Sequence, residues 1–279
     1  MGSYVRHIHG GRRPARRASL LLGVAATVLL LTAPPSGAGE PAPPVAEPAP
    51  RVATPAPIAV EPGAPPAAAA FPVRPPLPSA ESLGLTEEKF DVHKFQVVER
   101  SSGPISYYRV IEDPQGPYLR GVYRPPLETV TLGFELPAHL RRTAKKLRWR
   151  WRVTVLPKLA DECASGRTDS AAVVYVSWKR GLRWYALKYV WSTVGKVGNI
   201  CEPHRNIFVA QDTIIRESGP PIGQWFEEEV DLDAEWRNHF EGGDPNAEVP
   251  DFVGFGLMSD GDQTQSVSAA DYGFFSVLK

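Results

Sequence analysis

Leu147-Arg148-Trp149-Arg150-Trp151-Arg152-Val153-Thr154-Val155-Leu156-Pro157 decides the fold. Leu147, Trp149, Trp151, Val153 and Val155 alternate without a break against Arg148, Arg150, Arg152 and Thr154. Side chains of a strand point to opposite faces with period two, so this is a strand with one face in an apolar core. Three guanidiniums on the other face require water, acidic neighbours across the sheet or an anionic ligand. The first functional question is which of these they have.

Downstream and upstream of this strand the same pattern recurs. Apolar or aromatic alternation bounded by Gly, Pro and Asp marks strands at 106–111, 118–124, 128–136, 171–178, 184–192, 207–215, 224–232, 252–258 and 272–278. Lys179 to Arg183 reads as a hairpin connection between two of them. Helical expectations are confined to Thr86–Phe90 and Asp233–Phe240, the second capped by Asp231 or Asp233. Many short strands with turn signals between them predict an all-β, antiparallel jelly-roll-type β-sandwich over residues 79–279, with one or two short helices. A stretch of that length can close around one core.

What precedes the domain is of another kind. Arg6, Arg12, Arg13, Arg16 and Arg17 lead into the apolar run Leu20–Leu31, and Ser36-Gly37-Ala38 offers small residues for cleavage. Residues 1–38 are therefore expected to be an export signal peptide, and the only contact with a membrane is expected through it before cleavage. The run falls short of the roughly 20 apolar residues that span a bilayer. Arg16-Arg17 partly resembles a twin-arginine signal, but Ser19 stands where that pattern has Phe, which favours the general secretory route. No Cys follows the run, so a lipoprotein is excluded. More than half of the 29 prolines lie between Pro34 and Pro78, and 39–78 reads as a disordered Pro/Ala linker. The expected compartment is periplasmic or extracellular. The full chain has zero formal charge, and losing the five signal arginines leaves −5. A mildly acidic chain is a poor partner for nucleic acid, where affinity comes from neutralising phosphates.

The succession LRWRWRV, DSAAVVYVSW, ALKYVWS, RESGPPIGQWFEEEVDL, GFGLMSDGDQT and a final Tyr-Gly strand resembles domain-of-unknown-function family 3047, from about Phe90 onward. The resemblance implies bacterial exported proteins with a sandwich related to galactose-binding-like and carbohydrate-binding modules, and no established activity. Two stretches depart from the family: Gly273-Phe274-Phe275 where Gly-Asp is usual, and Cys201-Glu202-Pro203-His204 in a loop usually rich in Pro and Asn.

Chemistry-bearing residues fall into a few groups. Cys163 and Cys201, the only cysteines, are expected to form a disulfide in an oxidising compartment; with His204 they could alternatively be zinc ligands. Trp225, Glu227, Glu229 and Asp231 share a face of their strand. Placed beside Arg148, Arg150 and Arg152, they would make the arginine row a structural charge ladder; left open, they could grip hydroxyls or an acidic sugar. Of the seven tryptophans, Trp184 and Trp191 are those expected on the surface, where rings could stack on a glycan. Asp260, Asp262 and Thr264, around Gly261, are candidate calcium ligands or a plain polar turn.

Enzyme signals are thin: no H-E-x-x-H, nucleophile elbow or phosphate loop occurs. The expected function is non-catalytic binding at the bacterial envelope, of a glycan. The alternatives are a glycoside-active enzyme using Glu227 and Glu229, and a purely structural envelope protein.

Overall fold

The computed structural model describes residues 74–97 and 106–279. The signal peptide and residues 39–73 of the linker lie outside the described residues. Thirteen strands follow in order: β1 Glu87–Phe90, β2 Gln96–Val97, β3 Tyr108–Ile111, β4 Tyr118–Tyr123, β5 Thr131–Glu135, β6 Lys146–Val155, β7 Ala172–Arg180, β8 Arg183–Ser192, β9 Ile200–Arg205, β10 Val209–Ser218, β11 Phe226–Asp231, β12 Asp251–Met258 and β13 Ser268–Leu278. The α-helix α1, Leu232–Phe240, follows β11 directly. Short 3-10 turns occupy Glu81–Leu83 and Val92–Lys94.

The strands make two sheets. Sheet one runs β11-β6-β13-β4-β3, with β1 also paired to β13; sheet two runs β2-β5-β12-β7-β8-β10-β9. Neighbours are antiparallel except β8 and β10, which run parallel. This is the expected all-β sandwich. Among the described residues no helix is long and apolar enough to cross a membrane.

The arginine strand, β6, lies between β11 and β13 in sheet one, and its alternation is realised in space. Leu147, Trp149, Trp151 and Val153 are fully buried between the sheets. Val155, expected inward with them, is 40% exposed at the end of the strand. Sheet two answers with Val174, Val176, Trp178, Leu187, Tyr189 and Trp191, all in the same core. Trp149 and Trp151 meet edge to face at 5.6 Å, and Trp151 meets Trp191 at 6.0 Å. Aromatic pairs prefer such tilted geometry because ring edges are positive and ring faces negative.

Two local expectations are corrected. Thr86–Phe90 is not helical: Glu87–Phe90 is a strand paired with Phe275–Leu278 of β13. So few residues cannot hold a helix against the loss of those cross-strand bonds. The second correction is β9, which lies in a stretch read as loop and contains Pro203. It is an edge strand, the one place in a sheet where a missing N–H is tolerated. The helix expectation at 233–240 holds, and Asp231 is its cap, accepting from the Ala234 N–H at 2.9 Å.

Candidate functional site

The outer face of sheet one carries the arginine row. β11 pairs antiparallel with β6 so that Glu229 stands opposite Arg148 and Glu227 opposite Arg150. Glu229 accepts from Lys146 at 2.8 Å and from Arg148 Nε at 2.6 Å. Burial works against its ionisation, but the two cations outweigh it and hold the carboxyl below the ordinary range. A general acid of a glycosidase needs the opposite shift. At the other end, Asp271 of β13 is fully buried and holds two arginines: Arg152 Nε at 2.7 Å and Arg120 Nε at 2.7 Å. The row is covered at both ends.

Its middle is not. Arg150 makes no ion pair among the described residues, and its Nε is buried without an acceptor. The guanidinium lies 4.4 Å from the centre of the Trp225 ring, and that of Arg152 lies 4.5 Å from the same ring. Tyr118 meets Trp225 edge-on at 5.5 Å. Gly273 of β13 makes room for this: a Cβ there would stand 2.8 Å from Arg150 Nε. Glu227 is exposed beside the patch and has no ion pair among the described residues. Trp225 is half-buried.

The other residues singled out lie elsewhere. Trp184 is half-buried on sheet two at the β7–β8 hairpin, with Lys179 Nζ 4.6 Å above its ring. Trp191 is corrected from surface to core: it is fully buried, and its indole donates to the Gly219 carbonyl at 2.8 Å. β8 alternates like any strand, and Trp191 shares the inward parity of Leu187 and Tyr189. Cys163 and Cys201 are disulfide-bonded, tying the β6–β7 loop to β9. Bonded cysteines cannot serve as thiolate ligands, so the zinc reading with His204 is removed.

Asp260 and Asp262 do converge, with a third carboxylate the sequence reading missed. Ligand oxygens of Asp169, Asp260 and Asp262 lie within 4.8 Å of one another. Thr264 orients this cluster, donating through its N–H and hydroxyl to Asp169 at 2.7 and 2.5 Å. Burial, with the charges of Asp262 and Asp169, pushes the Asp260 carboxyl up to about 7. Three converging carboxylates are the donor set that a hard cation such as calcium takes. Asp169, just before β7, is remote in sequence, and no local spacing could have shown it.

A second missed group is the pair Glu217 and Glu228. Glu228 points inward, opposite Trp149 in register, and is 3% exposed; Glu217 of β10 is 7% exposed. Burial and the neighbouring Glu228 raise the Glu217 carboxyl to about 7. Arg216 Nε donates to Glu228 at 2.7 Å, and Arg74 bridges both acids, reaching Glu228 at 3.0 Å. Period two along the EEE run is a signal that could have placed Glu228 opposite in facing to Glu227 and Glu229, but nothing local names Glu217 or Arg74 as its partners.

These features define an all-β sandwich with an ordered charge ladder and a polar-aromatic patch on one sheet. The chain belongs to the family described as Protein of unknown function (DUF3047), whose model matches residues 128–275. No curated protein matches the chain in sequence. Among solved structures, a family 11 carbohydrate-binding module from Clostridium thermocellum, in complex with a β-1,3-1,4-mixed-linked tetrasaccharide, is similar at 9% identity and a TM-score of 0.37, covering 68% of this chain and 94% of its own. A low-affinity xylan-binding module from Roseburia intestinalis is similar at 8% identity and a TM-score of 0.29, covering 70% and 96%. A family GH12 endoglucanase from Trichoderma harzianum is similar at 10% identity and a TM-score of 0.31, covering 70% and 97%.

Proposed function

We propose that this chain is an exported, non-catalytic binding module of the bacterial envelope that takes a glycan on the outer face of sheet one. One observation carries the reading: Trp225 lies over Arg150 and Arg152 while Arg150 and Glu227 have no ion-pair partner among the described residues. A sugar ring presents an apolar C–H face and a rim of hydroxyls. An aromatic ring receives the first, and an unpaired guanidinium and carboxylate receive the second. Arg150, Arg152 and Glu227 sit on strands and Trp225 directly precedes β11, which keeps the ordering cost of binding low. The disulfide is in keeping with an oxidising compartment.

The test is a glycan array on the mature chain, followed by titration of the best ligand into Trp225→Ala and Glu227→Gln. Trp225→Ala is expected to weaken binding at least tenfold, about the 1.4 kcal/mol that a tenfold change represents, and to leave the melting temperature nearly unchanged. An array without signal, or equal affinity in Trp225→Ala, leaves this face as a structural charge ladder.

A further inference from the structure

Because β8 and β10 run parallel, the hairpins that lead into them, β7–β8 and β9–β10, close at the same end of sheet two. In a purely antiparallel meander successive turns fall at opposite ends. Here the two tips lie side by side: Val209 is in register with Trp184, and the Trp184 N–H donates to the Phe208 carbonyl at 2.7 Å. Gly181-Leu182 forms the first tip, with Gly181 at φ 58°, a value that the first position of a two-residue hairpin turn demands and Gly supplies. Asn206 shapes the second, its Oδ1 accepting from the N–H groups of Phe208 and Val209 at 2.8 and 2.7 Å.

Both tips present apolar side chains to water. Leu182 is 81% exposed, Ile207 78% and Phe208 53%, and Trp184 is half-buried just behind them. Turns are built chiefly from small and polar residues, and an exposed apolar patch marks a surface that meets a partner. The charges around the tips narrow the choice. Lys179, Arg180, Arg183 and Arg205 flank them, and the segments 179–184 and 205–208 contain no acid. Arg180 reaches Glu241 at 3.3 Å, and Arg205 reaches Asp212. Lys179 and Arg183 make no ion pair among the described residues: Lys179 lies 4.6 Å over the Trp184 ring and Arg183 5.2 Å over that of Tyr185. Asp251, opposite Lys179 in register, goes instead to Arg142 at 2.7 Å.

Apolar tips beyond a ring of cations, with a tryptophan at the level of the cations, match the layering of a bilayer surface. Hydrocarbon lies deepest, and above it come the interface where Trp is favoured and the anionic headgroups. A protein partner asks for a broad complementary face, which two turn tips do not offer. We propose that this double tip docks the domain on an anionic bilayer surface, with Leu182, Ile207 and Phe208 entering the acyl boundary and Lys179 and Arg183 meeting lipid phosphates. Membrane contact then outlasts the signal peptide, contrary to the expectation from the sequence. The tips belong to sheet two, so the proposal stands whether or not the Trp225 patch on sheet one binds a glycan.

The experiment is co-sedimentation of the mature chain with vesicles of phosphatidylcholine alone and of an equal mixture of phosphatidylcholine and phosphatidylglycerol. Binding is expected to the mixed vesicles, with little to the neutral ones, and to fall at high salt. Leu182→Ser with Ile207→Ser is expected to weaken it about tenfold or more, and so is Lys179→Gln with Arg183→Gln, because affinity sums buried apolar area and attraction to anionic lipid. Leu182 and Ile207 are exposed, so the serine pair is expected to melt as the parent does. Absence of binding to the mixed vesicles overturns the proposal, and so does undiminished binding in the serine pair. Equal binding to neutral and mixed vesicles removes the cations from the account and overturns it too. A dimer of the parent that the serine pair dissolves in the absence of vesicles would make a second copy the occupant of the tips, and would also end the proposal.

Discussion

Asp260 shows how one carboxyl can link stability, pH and metal. Its side chain accepts from the Thr129 hydroxyl at 2.6 Å and from the Gly261 N–H at 2.8 Å, yet it is 6% exposed beside Asp169 and Asp262. Its folded value of about 7 lies above the ordinary 3.8. Between those values the folded protein keeps a proton that the unfolded chain has released, so stability falls as pH rises from 3.8 to about 7. Above that window the full penalty is in place. Asp260→Asn is therefore expected to raise the melting temperature at pH 8 and to flatten its fall between pH 4 and 8. Glu217 contributes a slope of the same sign, so the flattening is partial. Millimolar calcium is expected to stabilise the unmodified protein at pH 8, less at pH 5, and not at all in Asp260→Asn, as ligand-linked stability requires. Melts run with EDTA and with calcium decide it. Parallel curves for both proteins would leave the loop a polar turn.

At the scale of elements, the segment entering the domain is held by charge. Residues 74–78 have the composition of a linker, yet Arg74 lies 4.6 Å over the Phe226 ring and bridges Glu217 and Glu228, and the Pro78 carbonyl accepts from Arg148 at 2.6 Å. Arg74 is 43% exposed while its acids are buried. Its loss is thus expected to fall between the ~0–1 kcal/mol of an exposed pair and the ~3–5 kcal/mol of a broken buried one. Protonated Glu217 needs no cation, so Arg74→Ala is expected to destabilise more at pH 8 than at pH 5. Urea unfolding at the two pH values measures this. An equal loss at both would mean that Arg74 acts by packing on Phe226 alone. The β6–β11 ladder was legible only as one of two alternatives: alternation placed the acids of one strand and the arginines of the other on single faces, and the pairing of the two strands came from the structure. The pairing of β1 with β13 was not legible at all, since a four-residue strand carries too little pattern.

For the whole molecule, two closures matter: the aromatic core between the sheets and the covalent tie outside it. Trp149 is fully buried, so Trp149→Ala is expected to cost about 3–5 kcal/mol. The Cys163–Cys201 bond spans a sequence separation of 38 residues. Replacing both cysteines by serine is expected to cost about 2–4 kcal/mol, chiefly by freeing the unfolded chain. Denaturant midpoints of the two variants check both values. A double-serine variant as stable as the parent would show that β9 is held by its hydrogen bonds to β10 alone.

Period-two patterning by itself determined the class of fold, the buried face of β6 and the shared face of Glu227 and Glu229 on β11, because those properties repeat every second residue along one strand. The disulfide also followed from the sequence, since only two cysteines were available to pair. Tertiary structure alone decided which arginine stayed without an acid. Asp271 and Glu229 reach the row from strands on either side of β6, and neither is its neighbour in sequence. The same holds for Asp169 beside Asp260, for Arg74 on Glu217 and Glu228, and for the Leu182 hairpin beside that of Ile207 and Phe208. Each joins residues from separate elements. Strand order and register bring those residues together, and a local pattern contains no record of either.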